Sequence, residues 1–144
     1  MKTYTLRQAV EEDIPFLLDL RRQTMSGHLV ASGVVSAEAE YLARVRAQYE
    51  CAQVVMQGNQ PVGLLKVSRE GLNWELIQVQ LIPSLQGQGF GQEIIQSLVG
   101  EARREGASLR LSVLKANPAR RLYERLGFTV VSEKAHAFEM LFMA

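Results

Sequence analysis

Pro83-Ser84-Leu85-Gln86-Gly87-Gln88-Gly89-Phe90-Gly91 follows an apolar strand pattern and runs straight into an amphipathic helix pattern, and its reading decides the fold. Three glycines at alternate positions let the backbone curl without Cβ clashes and bring several N–H groups toward one point. The free first amides and positive dipole end of the following helix aim at the same point, which suits a phosphate or pyrophosphate. An ordinary glycine-rich strand-to-helix turn is the alternative reading. Two other phosphate loops do not fit. A Walker loop needs Lys-Ser/Thr after its last glycine, where Gln92-Glu93 stand here. A dinucleotide fingerprint needs its last two glycines three apart, whereas Gly89 and Gly91 are two apart.

Upstream of the loop, residues 72–82 read as a strand with an irregularity. Leu72, Trp74 and Leu76 share one parity; Ile77, Val79 and Leu81 share the other. Such a slip is the trace of a β-bulge, which bends a strand and frees backbone groups near Val79 to Leu81 for a ligand. A strand apolar on both faces near its centre gives the same pattern. Downstream, Ile94, Ile95, Leu98, Val99 and Ala102 mark a helix with Arg103 and Arg104 in its last turn and Gly106 as its stop. Leu109, Leu111 and Val113 alternate as a strand, completing a βαβ crossover. Asn117-Pro118 supplies an N-cap and first-turn proline for a short helix containing Leu122, Tyr123 and Leu126 and ended by Gly127. Strands at 128–131 and 137–143 finish the sheet.

In the N-terminal half, Tyr4 and Leu6 alternate with Thr3, Thr5 and Arg7 as a strand, and Glu11-Glu12-Asp13 with Pro15 opens a first helix. Ile14, Leu17, Leu18 and Met25 give its apolar face and Ser26-Gly27 its end. Residues 28–36 lack a period and read as a loop. Ser36 caps a second helix with Ala39, Leu42, Val45 and Tyr49 on one face. Residues 51–56 and 62–67 form a hairpin through Gly58-Asn59-Gln60-Pro61.

With 144 residues the chain reads as a single domain, 1–144, able to bury a core without staples. A net charge of +1 leaves no electrostatic footprint for nucleic acid or a membrane surface, so a phosphate must be held by local geometry. The single cysteine, Cys51, excludes an intramolecular disulfide, and no apolar leader or spanning run is present, which points to the cytoplasm. His28 and His136 have no metal-ligand spacing, and no metal is expected. Cys51 reads as a small strand hydrophobe and Trp74 as core.

Leu81-Ile82-Pro83, Gln86-Gly87-Gln88-Gly89-Phe90-Gly91 and Asn117-Pro118-Ala119-Arg120-Arg121-Leu122-Tyr123-Glu124-Arg125-Leu126-Gly127-Phe128 resemble, in content, order and separation, the GNAT (Gcn5-related) N-acetyltransferases. The resemblance implies an α/β fold, a mixed α+β sheet splayed between its fourth and fifth strands and flanked by about four helices, into which acetyl-CoA inserts. It implies that backbone amides of Gln86, Gly87, Gln88, Gly89, Phe90 and Gly91 hold the CoA pyrophosphate. The backbone of Leu81, Ile82 and Pro83 would pair with the pantetheine arm, Asn117 would contact the cofactor, and Tyr123 would stand by the thioester sulfur.

Acetyl transfer to an amine requires a deprotonated amine, oxyanion stabilisation and a proton for the departing thiolate. An amine of pKa about 10.4 is neutral in only roughly one molecule per thousand near neutral pH, so a base or ordered water must accept its proton. Glu75, on the irregular strand upstream of Leu81, is the candidate base; an exposed strand glutamate is its other reading. Tyr123, with a phenol pKa of about 10, is the candidate acid for a thiolate whose conjugate acid lies near 8.5; simple packing beside Leu122 and Leu126 is the other reading. The acceptor implied by the resemblance is a primary amine of a small molecule, peptide or protein. The alternative is a non-catalytic acyl-CoA-binding regulatory domain. The last strands are a candidate homodimer surface.

Overall fold

The structure, a computed structural model, describes residues 3–31 and 37–144. In chain order these form β1 (Thr5–Gln8), α1 (Ile14–Ala31), α2 (Ala37–Arg46), β2 (Ala52–Gln57), β3 (Gln60–Glu70), β4 (Asn73–Leu81), α3 (Phe90–Glu105), β5 (Ser108–Leu114), α4 (Arg120–Arg125), β6 (Thr129–Glu133) and β7 (Ala137–Phe142). The strands lie in the order β1-β2-β3-β4-β5-β7-β6. β4 and β5 are parallel, as the α3 crossover requires, and the β1–β2, β2–β3, β5–β7 and β6–β7 pairs are antiparallel. This is the α/β mixed sheet with four helices implied above.

The chain divides into two compact units, Met1–Lys66 with Gln78–Gly91, and Val67–Ile77 with Gln92–Ala144. In the first, Ile14, Leu17 and Leu20 of α1, Val45 of α2, and Ala52, Val54 and Leu64 of the hairpin form a buried cluster, with Phe16, Leu18, Leu42 and Tyr49 packed against it. Each fully buried aliphatic side chain contributes roughly 1.5–3 kcal/mol against its exposed state. α1 runs on through Ser26-Gly27 to Ala31, correcting the earlier end point. An interior glycine costs only about 1 kcal/mol in a helix, too little to stop one already propagating. His28–Ala31 is therefore helical, while the expected loop over 32–36 and the Ser36 cap lie outside the described residues. So do the side chains of Met25 and His28. Tyr49 and Cys51 occupy a 3-10 turn between α2 and β2 rather than a helix face and a strand.

Asp13 is the buried acid of this unit. Its two oxygens accept hydrogen bonds from Arg7 Nη2 at 2.7 Å and Nη1 at 2.8 Å, and the second also accepts the Val10 N–H at 2.8 Å. One side chain thus ties β1 to the entry of α1. The Arg7 hydrogen bonds hold the Asp13 carboxyl below its ordinary value against the opposing effect of burial. A folded value below the unfolded one means stability fully present above pH about 4 and lost as pH falls through the folded value. Urea titrations at pH 7 and pH 3 should show this loss, and Asp13→Asn should lower stability at pH 7 by about 1–2 kcal/mol while flattening the acid slope. An acid slope unchanged in the variant would assign it to other carboxylates.

In the second unit β5 buries Leu109, Leu111 and Val113 in strict alternation, and α3 buries Ile94, Ile95, Leu98, Val99 and Ala102. Trp74 is core, as its parity indicates; its Nε1–H donates to Gly71 O at 2.9 Å, and Arg69 lies 5.4 Å from its ring centre while bonding Glu101. β4 pairs with β5 over Asn73–Glu75 against Ser108–Arg110, and β4 then continues to Leu81. Burial follows the parity reading only in part: Trp74 and Leu76 are buried but Leu72 is exposed, residues 77–80 are half-buried on both parities, and Leu81 is buried.

Candidate functional site

The glycine loop begins with a 3-10 turn, Pro83–Leu85, and passes through Gln86 to Gly89 before α3 starts at Phe90. Gly87 and Gly89 take φ of +76° and +88°, in the left-handed region that residues with a Cβ avoid, so both glycines are needed for the path of the chain. Gly91 is already helical. A Cβ added at Gly87 would meet nothing within 4 Å, so the crest of the loop is open. The loop is braced from its own glutamines. Gln86 Nε2 donates to Leu81 O at 3.1 Å and Gln88 Nε2 to Ser84 O at 2.6 Å. The Gln86 N–H is taken by Pro83 O at 3.2 Å, whereas the amides of Gly87, Gln88 and Gly89 make no hydrogen bond among the described residues. Free amides beside a helix N-terminus fit an anionic, phosphate-bearing group.

The strand leading into this loop is held by a close approach that the sequence reading missed. In the β2–β3 ladder Val55 pairs with Gly63 and Met56 with Pro61, leaving Val62 as an extra residue. The Val62 carbonyl accepts the Ile82 N–H at 2.9 Å. At Gly63 an added Cβ would lie 2.5 Å from Gln80 O and 2.8 Å from Leu81 Cδ2. The end of β4 therefore lies against bare backbone. A glycine interrupting an apolar strand run is the signal that could have found it.

Tyr123 is positioned by the end of α4. Phe128 N–H donates to Tyr123 O at 3.0 Å and Gly127 N–H to Glu124 O at 3.1 Å, the paired bonds of a Schellman motif. The hydrophobic contact that accompanies this motif is the Tyr123–Phe128 ring pair, 5.8 Å between centroids and edge-on, with Phe142 behind Phe128 at 5.9 Å. Packing and positioning are thus one arrangement here. Burial pushes the Tyr123 phenol above its ordinary value, so it stays protonated through the neutral range and is a donor rather than a base. Its hydroxyl makes no hydrogen bond among the described residues.

Asn117 does not cap α4 as expected: the helix starts at Arg120 with Ala119 at its N-cap and no side-chain capping bond, and Asn117 Oδ1 instead accepts the Ala119 N–H at 2.9 Å in an Asx turn ahead of it. This leaves the Asn117 amide NH2 for a ligand. Glu75 is exposed, flanked by the buried Trp74 and Leu76, and lies in register with Arg110 of β5. His136 is exposed in the turn between β6 and β7, where its carbonyl accepts the Lys115 N–H at 2.9 Å.

The sequence model of the acetyltransferase (GNAT) family matches residues 15–128, and the chain belongs to that family. [Ribosomal protein bS18]-alanine N-acetyltransferase of Haemophilus influenzae is 37% identical over 57 residues, 39% of this chain and 39% of that protein. That match thus spans about two fifths of the relative's length. Among solved structures, the PaiA N-acetyltransferase of Thermoplasma acidophilum in complex with coenzyme A superposes with a TM-score of 0.73 at 17% identity, covering 99% of this chain and 100% of the other. The ribosomal-protein-S18-alanine N-acetyltransferase of Escherichia coli gives 0.71 at 19% identity, over 98% and 94%. At these identities the likeness is one of fold.

Proposed function

We propose that residues 1–144 act as one acetyl-CoA-dependent N-acetyltransferase domain, moving an acetyl group to a primary amine of a small molecule, peptide or protein. The observation that carries this reading is the loop itself: two left-handed glycines and three unpartnered amides at the start of α3, in a chain of the GNAT family. Bound acetyl-CoA would supply the activated acyl thioester. Gly87, Gln88 and Gly89 would donate their amides to its pyrophosphate, with Phe90 and Gly91 adding the helix N-terminus and Gln86 bracing the loop. The backbone of Leu81, Ile82 and Pro83 would align the pantetheine arm, and the Asn117 carboxamide would donate nearby. Tyr123 would donate a proton to the departing sulfur, and Glu75, directly or through water, would accept one from the amine. No metal is invoked; among the described residues no group of three His, Cys, Asp or Glu could hold one.

The amine acceptor is proposed only by class. No described helix is long and apolar enough to cross a membrane, and the cytoplasm is the proposed location. Thermal unfolding with acetyl-CoA, and with ATP as control, tests the reading. At about a hundred times its dissociation constant, acetyl-CoA should add about 2.7 kcal/mol and raise Tm by several degrees, with no effect of ATP. No shift at saturation would leave the loop a structural turn. A shift without acetyl transfer to any amine would favour the non-catalytic acyl-CoA-binding domain.

A further inference from the structure

Lys66 is a buried charge that acetyl transfer does not use. It lies in β3 opposite Ala52 and is 1% exposed. On the parity of Leu64, it belongs to the strand positions from which Leu64 enters the buried cluster with Val45, Ala52 and Val54. Its Nζ donates to Ala47 O at 2.6 Å, Val45 O at 3.2 Å and Arg44 O at 3.3 Å. These carbonyls belong to the end of α2, where a helix has acceptors it cannot satisfy itself and the negative end of its dipole. An ammonium has three donors, and all three are used.

The other helix ends in the described chain show why this is unusual. α3 closes with Ala107 N–H on Ala102 O at 2.8 Å, and α4 with Phe128 N–H on Tyr123 O, each around a glycine. α2 has no glycine there. Gln48 turns the chain at φ +50° and ψ +42°, the one non-glycine residue with positive φ among those described, at a cost of about 1–2 kcal/mol. Cys51 N–H then closes the 3-10 turn on Gln48 O at 2.9 Å and leads into β2.

We propose that Lys66 is a charge-dependent latch. Its ammonium fixes the last turn of α2 and the strained Gln48 corner against β3, and loss of that charge loosens residues 44–51 while the sheet and α3 stay ordered. The groups facing it are Arg21 from α1 and Glu50 and Cys51 from the 3-10 turn, besides the α2 carbonyls. Burial and the Arg21 guanidinium hold Lys66 below the ordinary lysine value, with Cys51 and Glu50 opposing. Because the unfolded chain binds this proton more tightly, its contribution to global stability rises with pH between the folded and unfolded values. Local order at 44–51 falls over the same interval. These opposite signs separate a latch from an ordinary stabilising contact.

Amide hydrogen exchange on Lys66→Met, which keeps the apolar stem but not the donors, tests this. Exchange at residues 44–51 should quicken at least about tenfold at pH 7 with α3 protection unchanged, and Lys66→Arg should restore most of the protection. Independently of any variant, the wild-type Lys66 Cε resonance and the amide resonances of 44–51 should titrate with one midpoint below that of exposed lysines. Unchanged exchange in a folded Lys66→Met protein, or amides of 44–51 that ignore the Lys66 midpoint, would overturn the latch.

Discussion

Tyr123→Phe is expected to lower kcat for acetyl transfer by about 10²- to 10³-fold while leaving acetyl-CoA binding within about twofold. The substitution removes one oxygen and keeps the ring that packs edge-on against Phe128, so the Schellman end of α4 and its backbone bonds should persist. What is lost is a proton donor whose burial keeps it protonated. Because the folded pKa is raised, stability from the neutral phenol is fully present below the unfolded value of about 10 and is lost as pH rises through the folded value. Turnover that depends on the phenol should therefore fall only on the alkaline side. Glu75→Gln should act differently, depressing kcat most at low pH, where neutral amine is scarcest, and should leave the alkaline limb in place. Pre-steady-state thiol release resolves the two. A Tyr123→Phe enzyme with normal turnover would reduce the tyrosine to a packing residue, and a Glu75→Gln enzyme with a normal profile would leave water as the base.

Elements whose burial follows one period were legible in the sequence. β5 alternates without interruption, and the five apolar positions that define α3 are all buried, with Phe90 at its first position buried besides. The glycine loop was legible because left-handed backbone leaves a compositional mark, although only Gly87 and Gly89 use it. What escaped was set by neighbours distant in sequence. Lys66 sits in the apolar run from Val62 to Val67, and only the end of α2, about twenty residues earlier, explains a charge there. Asp13 reads as one of three acids favouring a helix start, yet it alone is buried against Arg7. α1 outran its expected end because a single glycine is a weak breaker. Tyr123 was legible as a candidate through resemblance, while its orientation depends on the way Gly127 and Phe128 fold back onto the end of α4, which no spacing encodes.

Gly63→Ala should produce the largest effect of any single methyl added to this chain. The new Cβ would arrive 2.5 Å from the Gln80 carbonyl oxygen, and a backbone atom cannot rotate aside as a side chain can. β4 must shift away from β3, straining the Ile82 N–H to Val62 O bond, at an expected cost of about 1–3 kcal/mol. The displaced stretch, Gln80 to Ile82, includes Leu81 and Ile82, which are proposed to align the pantetheine arm, so acetyl-CoA affinity should also fall, by at least about tenfold. Gly100→Ala is the matched control. There the Cβ meets only Arg104 Nη1 at 3.5 Å, and alanine's better helix propensity should raise stability by about 0.5–1 kcal/mol with binding unchanged. Urea midpoints and acetyl-CoA titrations on both variants decide the matter. Loss of stability in Gly63→Ala with full affinity would mean that the position of β4 supports the fold but not the cofactor, and the assignment of Leu81 and Ile82 would then fail while that of the glycine loop stood.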